Sequence, residues 1–117
     1  MARRKMYFRY EIPTNVVCLV KILCIDYERR ELALKDHKLS PSTLDEYRRL
    51  NGAIDTALLE LEVGIRKIML NDVQHNRGFE HSRASSFIAK NTYYSRKRKL
   101  IYDIAKELKL YEKKDSC

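Results

Sequence analysis

Residues 92–108, with the sequence TYYSRKRKLIYDIAKEL, decide the interpretation of this chain. At about 100° per residue, a helix over this stretch has an apolar face and a polar face on opposite sides. The apolar face consists of Tyr93, Tyr94, Leu100, Ile101, Ile104, Ala105 and Leu108. The polar face consists of Thr92, Ser95, Arg96, Lys99, Tyr102, Asp103 and Lys106. The pattern predicts an amphipathic helix that packs through its first face and presents its second face to solvent.

Lys97 departs from this pattern, because the wheel places it in the middle of the apolar face. Either its ammonium reaches out of the helical bundle toward a nucleic-acid backbone, or the helical register is shifted by one residue. We expect the helix to begin at Thr92 and to run to about Leu110. Asn91 or Ala89 would be its N-cap, and Asn91 is the chemically better cap.

A second, shorter helix is predicted directly upstream, over residues 82–89. A short helix, a tight connection and a longer helix form a helix-turn-helix, whose second helix enters the major groove of DNA with its N-terminal residues on the base edges. The C-terminal third is therefore predicted to be a helix-turn-helix region.

Two long helices are predicted further upstream, over residues 14–36 and 41–77. The first has an apolar stripe, and Ser40-Pro41 is a strong signal for the start of the second. Asn76-Arg77-Gly78 supplies a C-cap glycine at the end of the second. The apolar stripes consist of Val16, Val20, Leu23, Tyr27 and Leu34 in the first helix and of Leu44, Tyr47, Ile54, Leu58, Leu61, Ile65 and Ile68 in the second.

The short connection makes these two helices antiparallel, so the predicted fold is all-α, with a long antiparallel helical hairpin followed by a C-terminal helix-turn-helix. The chain contains only three Gly and two Pro in 117 residues, which also favours helices. We interpret the hairpin as a scaffold. A homodimer is the alternative, because Asn51, an Asn in the apolar seam, can specify a partner and a register.

The net charge of +8 lies at the two ends of the chain. Residues 1–10 contain four basic and no acidic side chains, residues 11–77 ten basic and eleven acidic, and residues 78–117 ten basic and five acidic. Double-stranded DNA is the partner that this distribution favours, because neutralised phosphates release condensed counterions. A basic surface that only improves solubility is the alternative.

The sequence shows no pattern typical of an enzyme, of a metal or cofactor site, or of a membrane protein. The sequence contains no phosphate-binding glycine loop and no nucleophile elbow, so we expect no enzymatic activity. Cys18, Cys24 and Cys117 form no C-x-x-C pair, and the three His have no ligand-like spacing with them, so we expect free thiols, no metal and no cofactor. No long apolar run or signal peptide is present, and we expect a cytoplasmic protein that does not contact a membrane.

The DNA-contacting residues are predicted from the start of the last helix. Four cations at residues 96–99 oppose the helix dipole, and a phosphate backbone would supply the missing negative charge. Hydroxyls and long cations in the same turns suit base edges and phosphates. The predicted contacts are Lys90, Asn91, Thr92, Ser95, Arg96, Arg98, Lys99 and Lys106.

The stretch from Phe87 to Lys99, FIAKNTYYSRKRK, continued by IAKEL at 104–108, resembles the C-terminal motif of the ArpU and RinA type of bacteriophage transcriptional regulators. The segments 26–30 and 51–57 are similar to the same group. The resemblance implies a helix-turn-helix like the promoter-reading region of sigma factors, and activation of late phage operons in a bacterial host. A Ser is usual where Ala89 stands, which would shift the cap to Asn91.

The sequence thus predicts a basic N-terminal arm over residues 1–13, a hairpin scaffold over 14–77 and a DNA-binding region over 78–117. The leading hypothesis is a sequence-specific transcriptional regulator, with activation as the expected direction and RNA polymerase as a candidate second partner. The alternatives are a DNA-packaging or recombination accessory protein with the same helix-turn-helix, and an interaction module that does not bind DNA.

Overall fold

The computed structural model describes residues 12–111, and every regular element in that range is helical. The α-helices are α1 (Thr14–Ile25), α2 (Tyr27–Asp36), α3 (Pro41–Leu58), α4 (Arg66–Gln74) and α5 (Lys90–Glu107). Three short 3-10 turns lie at Val63–Ile65, Phe79–His81 and Arg83–Ser86. The prediction of an all-α protein is confirmed. Most of the predicted N-terminal arm, residues 1–11, and Cys117 lie outside the described residues.

The first predicted long helix is interrupted at Asp26, so the prediction of one helix over 14–36 is wrong. The backbone of Asp26 departs from helical geometry, with φ −92° and ψ 8°. The Arg29 guanidinium donates to both carboxylate oxygens of Asp26, through Nε at 2.9 Å and through Nη2. This local ion pair holds the carboxylate at the junction between α1 and α2, where the sequence contains neither Pro nor Gly to mark a break.

The second predicted long helix is also divided, because α3 ends at Leu58 and α4 begins at Arg66. The Arg66 side chain stabilises the break by donating from Nε to the carbonyl oxygen of Leu61 at 2.9 Å and from Nη2 to that of Leu59 at 3.1 Å. Backbone carbonyls that an uninterrupted helix would satisfy thus receive a side-chain partner. Leu61 and Ile65 lie within the break and are buried, so the apolar spacing continues although the helix does not.

The start of α3 follows the prediction. Pro41 is the first helical residue, and the Ser40 hydroxyl accepts a hydrogen bond from the backbone N–H of Thr43 at 3.3 Å. Ser40 is thus an N-cap, and Pro41 follows it at the first helical position. Proline lacks a backbone N–H, but an N–H at that position would have no partner within the helix.

The end of α4 differs from the prediction. Asn76, with φ 54°, adopts the left-handed conformation, and the N–H of Arg77 donates to the carbonyl of Asp72 at 2.8 Å. Gly78 is extended and is therefore not a C-cap glycine. It is instead a point of close approach, since a Cβ there would lie 3.1 Å from the Tyr94 hydroxyl, which accepts a hydrogen bond from the Phe79 N–H.

One apolar core joins the five helices. α1 packs on α4 and α5, α3 packs on α2 and α5, and the core extends from Ile12 to Leu108. Its fully buried side chains include Val20, Ile54, Met69, Leu100 and Ile104. Most predicted core positions are buried or half-buried, as their spacing indicated. α5 is therefore part of the core and not a separate appendage to it.

A buried polar group connects α2 and α3. Arg30, which is 2% exposed, donates from Nε to the Oδ1 of Asn51 at 2.6 Å and from Nη2 to the carbonyl of Leu23. Asn51 in turn donates to the carbonyl of Tyr27 and to the carboxylate of Glu31. The amide of Asn51 thus bonds within its own chain and connects α2 to α3.

Cys18 and Cys24 are free thiols, the first exposed and the second buried. None of the helices within residues 12–111 is both long enough and apolar enough to cross a bilayer.

Candidate nucleic-acid interface

The segment before α5 is not the predicted α-helix. Within residues 82–89 the chain forms only the 3-10 turn Arg83–Ser86. The hydroxyl of Ser82 accepts from the N–H of Ala84 at 3.0 Å, and the hydroxyl of Ser85 donates to the carbonyl of Ser82 at 2.8 Å. Such local bonds compete with helical backbone bonds, which explains why the prediction of a short helix was wrong.

α5 begins two residues earlier than expected, at Lys90, and its N-cap is Ala89. No side chain caps this end in the part of the chain that the structure describes, and its first turn contains no acidic residue. Of the two predicted caps, Ala89 is the one that the structure has. The preference for Asn91 is wrong, since Asn91 is the second helical residue and is exposed. The exposed Lys90 ammonium lies 3.1 Å from the carboxylate of Glu80, which raises the pKa of Lys90.

The inner face of this end is anchored by Tyr93, which is fully buried. Its hydroxyl donates to the carboxylate of Asp72 at 2.8 Å and lies 3.1 Å from the carbonyl oxygen of Arg77. Burial, together with the hydrogen bond to Asp72, raises the pKa of the Tyr93 phenol. Asp72 is itself buried, so the pair fixes the N-terminal end of α5 against the end of α4.

Lys97 does face inward, as the wheel placed it, and the predicted helical register is correct. Its ammonium donates to the carbonyl of Arg77 at 2.6 Å and lies 5.7 Å from the centre of the Tyr93 ring. Burial lowers the pKa of Lys97, and the neighbouring Lys21 lowers it further. The ammonium thus contacts the C-terminal end of α4, where cations are favoured.

Arg96 does not stand free on a solvent face. Its guanidinium binds the Glu62 carboxylate through two nitrogens, with Nε at 3.0 and 3.1 Å and Nη2 at 2.9 Å from carboxylate oxygens. This hydrogen bonding holds the pKa of Glu62 below its usual range. Glu62 lies in the break between α3 and α4, a segment predicted to be helical, so no sequence pattern indicated the pair.

Lys99 likewise lies on the side of α5 that packs on α3. Its ammonium is 2.7 Å from the Asp103 carboxylate and 3.9 Å from that of Glu60. Arg98 lies on the opposite flank, beside α1, where it lines a cavity. Lys106 is exposed one turn beyond Asp103.

The predicted contact residues thus form two groups. Lys90, Asn91 and Thr92 lie together in the first turn of α5, with the half-buried Ser95 one turn further on. Arg96, Arg98, Lys99 and Lys106 are distributed around the rest of the helix. Arg83, in the turn that precedes α5, is an exposed cation that the sequence-based prediction omitted. Lys21, the one charged residue of α1, was also omitted from the predicted site residues.

No family model, curated protein or solved structure matches this chain.

Proposed function

We propose that this protein binds double-stranded DNA through the N-terminal end of α5 and regulates transcription. The observation that carries the proposal is that this end is exposed, lacks a side-chain cap and contains no acid in its first turn. The first backbone N–H groups of a helix have no partner within the helix, and together with the helix dipole they attract anions. A phosphate of the DNA backbone is such an anion.

The side chains at this end supply both kinds of contact that DNA recognition uses. Arg83 and Lys90 are exposed cations suited to phosphates, and in this proposal Lys90 exchanges its Glu80 carboxylate for a phosphate when DNA is bound. Asn91 is an exposed amide suited to an adenine edge. Thr92 and Ser95 carry hydroxyls on adjoining positions of the helix. A helix that enters the major groove by its N-terminal end would bring these residues to the bases first.

The remaining predicted residues have secondary roles in this proposal. Arg96 and Lys99 exchange their carboxylate partners for phosphates when DNA is bound, while Arg98 and Lys106 contact phosphates at the flanks. The turn at Arg83–Ser86 takes the place of the first helix of a helix-turn-helix, and α1 to α4 form the scaffold, with α2 and α3 as its helical hairpin.

Regulation, with activation as its direction, rests on the resemblance of residues 87–108 to the ArpU and RinA type of phage regulators. In this proposal the scaffold also offers a surface to RNA polymerase, or to a second copy of the chain.

Equilibrium binding to a duplex at several salt concentrations tests DNA binding itself. The logarithm of the affinity should fall linearly with the logarithm of the salt concentration, with a slope of about −0.9 for each phosphate contacted. An affinity that is the same at low and physiological salt would contradict the proposal and favour an interaction module.

A second experiment tests regulation. DNA bound in cells that express the protein is mapped, and the preferred site is fused to a reporter gene. A change in reporter expression supports transcriptional regulation. Site-selective binding that leaves expression unchanged contradicts it and favours a packaging or recombination accessory protein.

A further inference from the structure

A cavity of about 310 Å³ lies between α1 and α5, close to the C-terminal end of α4. Three cationic side chains line it, which are Lys21 from α1 and Lys97 and Arg98 from α5. No acidic side chain is among its lining residues in the described part of the chain. Its volume is near the lower end of the range for small-molecule sites, about 300 to 1,000 Å³.

The two lysines are held in place by the end of α4. The ammonium of Lys21 donates to the Oδ1 of Asn76 at 2.7 Å, and that of Lys97 to the carbonyl of Arg77 at 2.6 Å. Each ammonium has three donors, so each keeps donor capacity beyond these bonds. Their mutual repulsion contributes to the lowered pKa of Lys97. An anion between them would remove that repulsion.

The rest of the wall is apolar or aromatic. Ile12, Val17 and Ile101 supply aliphatic surface, and Tyr94 supplies a ring whose hydroxyl already accepts from the Phe79 N–H. Ile12 and Ile101 are buried, whereas Val17 is half-buried at the wall formed by α1. A site with a few polar groups on an apolar wall is typical of small organic ligands.

We propose that this cavity binds a small organic anion, in which a phosphate or carboxylate group contacts Lys21, Lys97 and Arg98 and a compact apolar body contacts Val17 and Ile101. The anion is bound by charge and hydrogen bonds from the three cations, and the apolar body replaces water along the aliphatic wall. The same chemistry could come from a phosphate of duplex DNA, and the experiment separates the two sources.

Phenyl phosphate is the probe, and the measurement is the change in backbone amide chemical shifts of the full chain. Saturable shifts are expected at Val17, Lys21, Lys97 and Arg98. Inorganic phosphate has the anionic group without the ring, and benzyl alcohol has the ring without the anionic group. Each should bind at least about tenfold more weakly than phenyl phosphate, because each loses either the apolar contact or the charge-assisted hydrogen bonds.

Variants assign the effect to the cavity. Lys97→Met should raise the dissociation constant of phenyl phosphate about tenfold or more, because it removes one hydrogen bond to a charged group. Val17→Phe, which fills the cavity and keeps all three cations, should abolish the shifts, and Lys35→Met, a cation change on α2, should leave them unchanged. Thermal melts establish that each variant is folded, and Val17→Phe still decides the question if Lys97→Met does not fold.

Three results would overturn the proposal. The first is the absence of saturable shifts at the lining residues, and the second is shifts that persist in Val17→Phe. The third is that a short duplex shifts the amides of Val17, Lys21 and Lys97 while phenyl phosphate does not, which would assign the phosphate to DNA.

Discussion

The first turn of α5 and the middle of the same helix contain similar polar side chains in different surroundings. In the first turn, Asn91 is exposed next to an uncapped helix end, and Lys90 is paired with Glu80 at the surface, where both side chains are more than half exposed. In the middle, Arg96 is bound to Glu62, and Lys97 is bound to the carbonyl of Arg77. The cations of one helix are therefore not a uniform surface, because the neighbouring elements determine which groups each cation binds within the protein and how exposed those groups are.

The largest effect is expected on the buried side of α5. Ile104 is fully buried, and its replacement by Ala should lower the free energy of unfolding by about 2 to 5 kcal/mol, because it leaves a cavity in a packed core. Chemical denaturation measures this loss. The matched control is Lys106→Ala, an exposed position two residues further on, which should change the free energy of unfolding by at most about 0.5 kcal/mol. Equal losses in the two variants would show that α5 is not anchored as described.

The next effect concerns the anchor of the first turn. Tyr93→Phe removes the hydroxyl that donates to buried Asp72 and should cost about 1 to 3 kcal/mol of stability, because a buried carboxylate loses a partner. Tyr102→Phe, at a half-buried position of the same helix, is the comparison for removal of a hydroxyl outside this buried pair. A loss in Tyr93→Phe no larger than that in Tyr102→Phe would contradict the role given to the Asp72 pair.

A smaller effect is expected where Glu62 holds Arg96. Glu62→Gln should cost at most about 1 kcal/mol of stability, since exposed ion pairs contribute little. It should strengthen duplex binding by roughly 0.5 to 1.5 kcal/mol, because the guanidinium becomes available to a phosphate. Glu46→Gln is the matched control, since Glu46 forms an equally bidentate pair with Arg49 within α3. Tighter binding in both variants would show an effect of net charge alone.

The same pair has a defined pH dependence. Arg96 lowers the pKa of Glu62 below its usual value of 4.5 in the folded state. The carboxylate is therefore ionised more readily in the folded chain than in the unfolded one, and its contribution to stability is present above pH 4.5 and is lost as the pH falls through the lowered value. The stability difference between the wild type and Glu62→Gln, measured by denaturation at several pH values, should shrink over that interval. A difference that does not change with pH would mean that the pair does not form in solution.

The smallest effect is expected at Lys106. Lys106→Ala should weaken binding to all duplex sequences similarly and should make the salt dependence shallower by about one phosphate contact. Binding measured on a preferred and a scrambled duplex at several salt concentrations checks this. Loss confined to the preferred duplex would mean that Lys106 contacts bases.

The sequence predicted burial along α5 well, because a 3.6-residue period reports directly on which positions face the core. Leu100, Ile104 and the inward direction of Lys97 all follow from it. The breaks at Asp26 and between α3 and α4 could not be predicted in this way. At both places the apolar spacing continues, and the break depends on side chains that bond to backbone or carboxylate groups nearby in the fold, as Arg66 does.

The candidate interface was predicted only in part for a related reason. The residue types at the start of α5 were visible in the sequence, but their partners come from distant segments. Glu62, 34 residues before Arg96, and Arg77, 20 residues before Lys97, become neighbours only when the chain folds. Asn91 was preferred over Ala89 as the cap because the side chain of Ala89 has no hydrogen-bonding group that could mark a helix start.

The most direct test of the proposed interface is to map a bound duplex on the protein by backbone amide chemical shifts. The account predicts that the largest changes occur at Arg83 and over residues 89–95, with smaller changes at Arg96 and Lys99 and none along α2. Changes concentrated on α2 or on the exposed side of α3, with residues 89–95 unaffected, would contradict the assignment of DNA binding to the N-terminal end of α5.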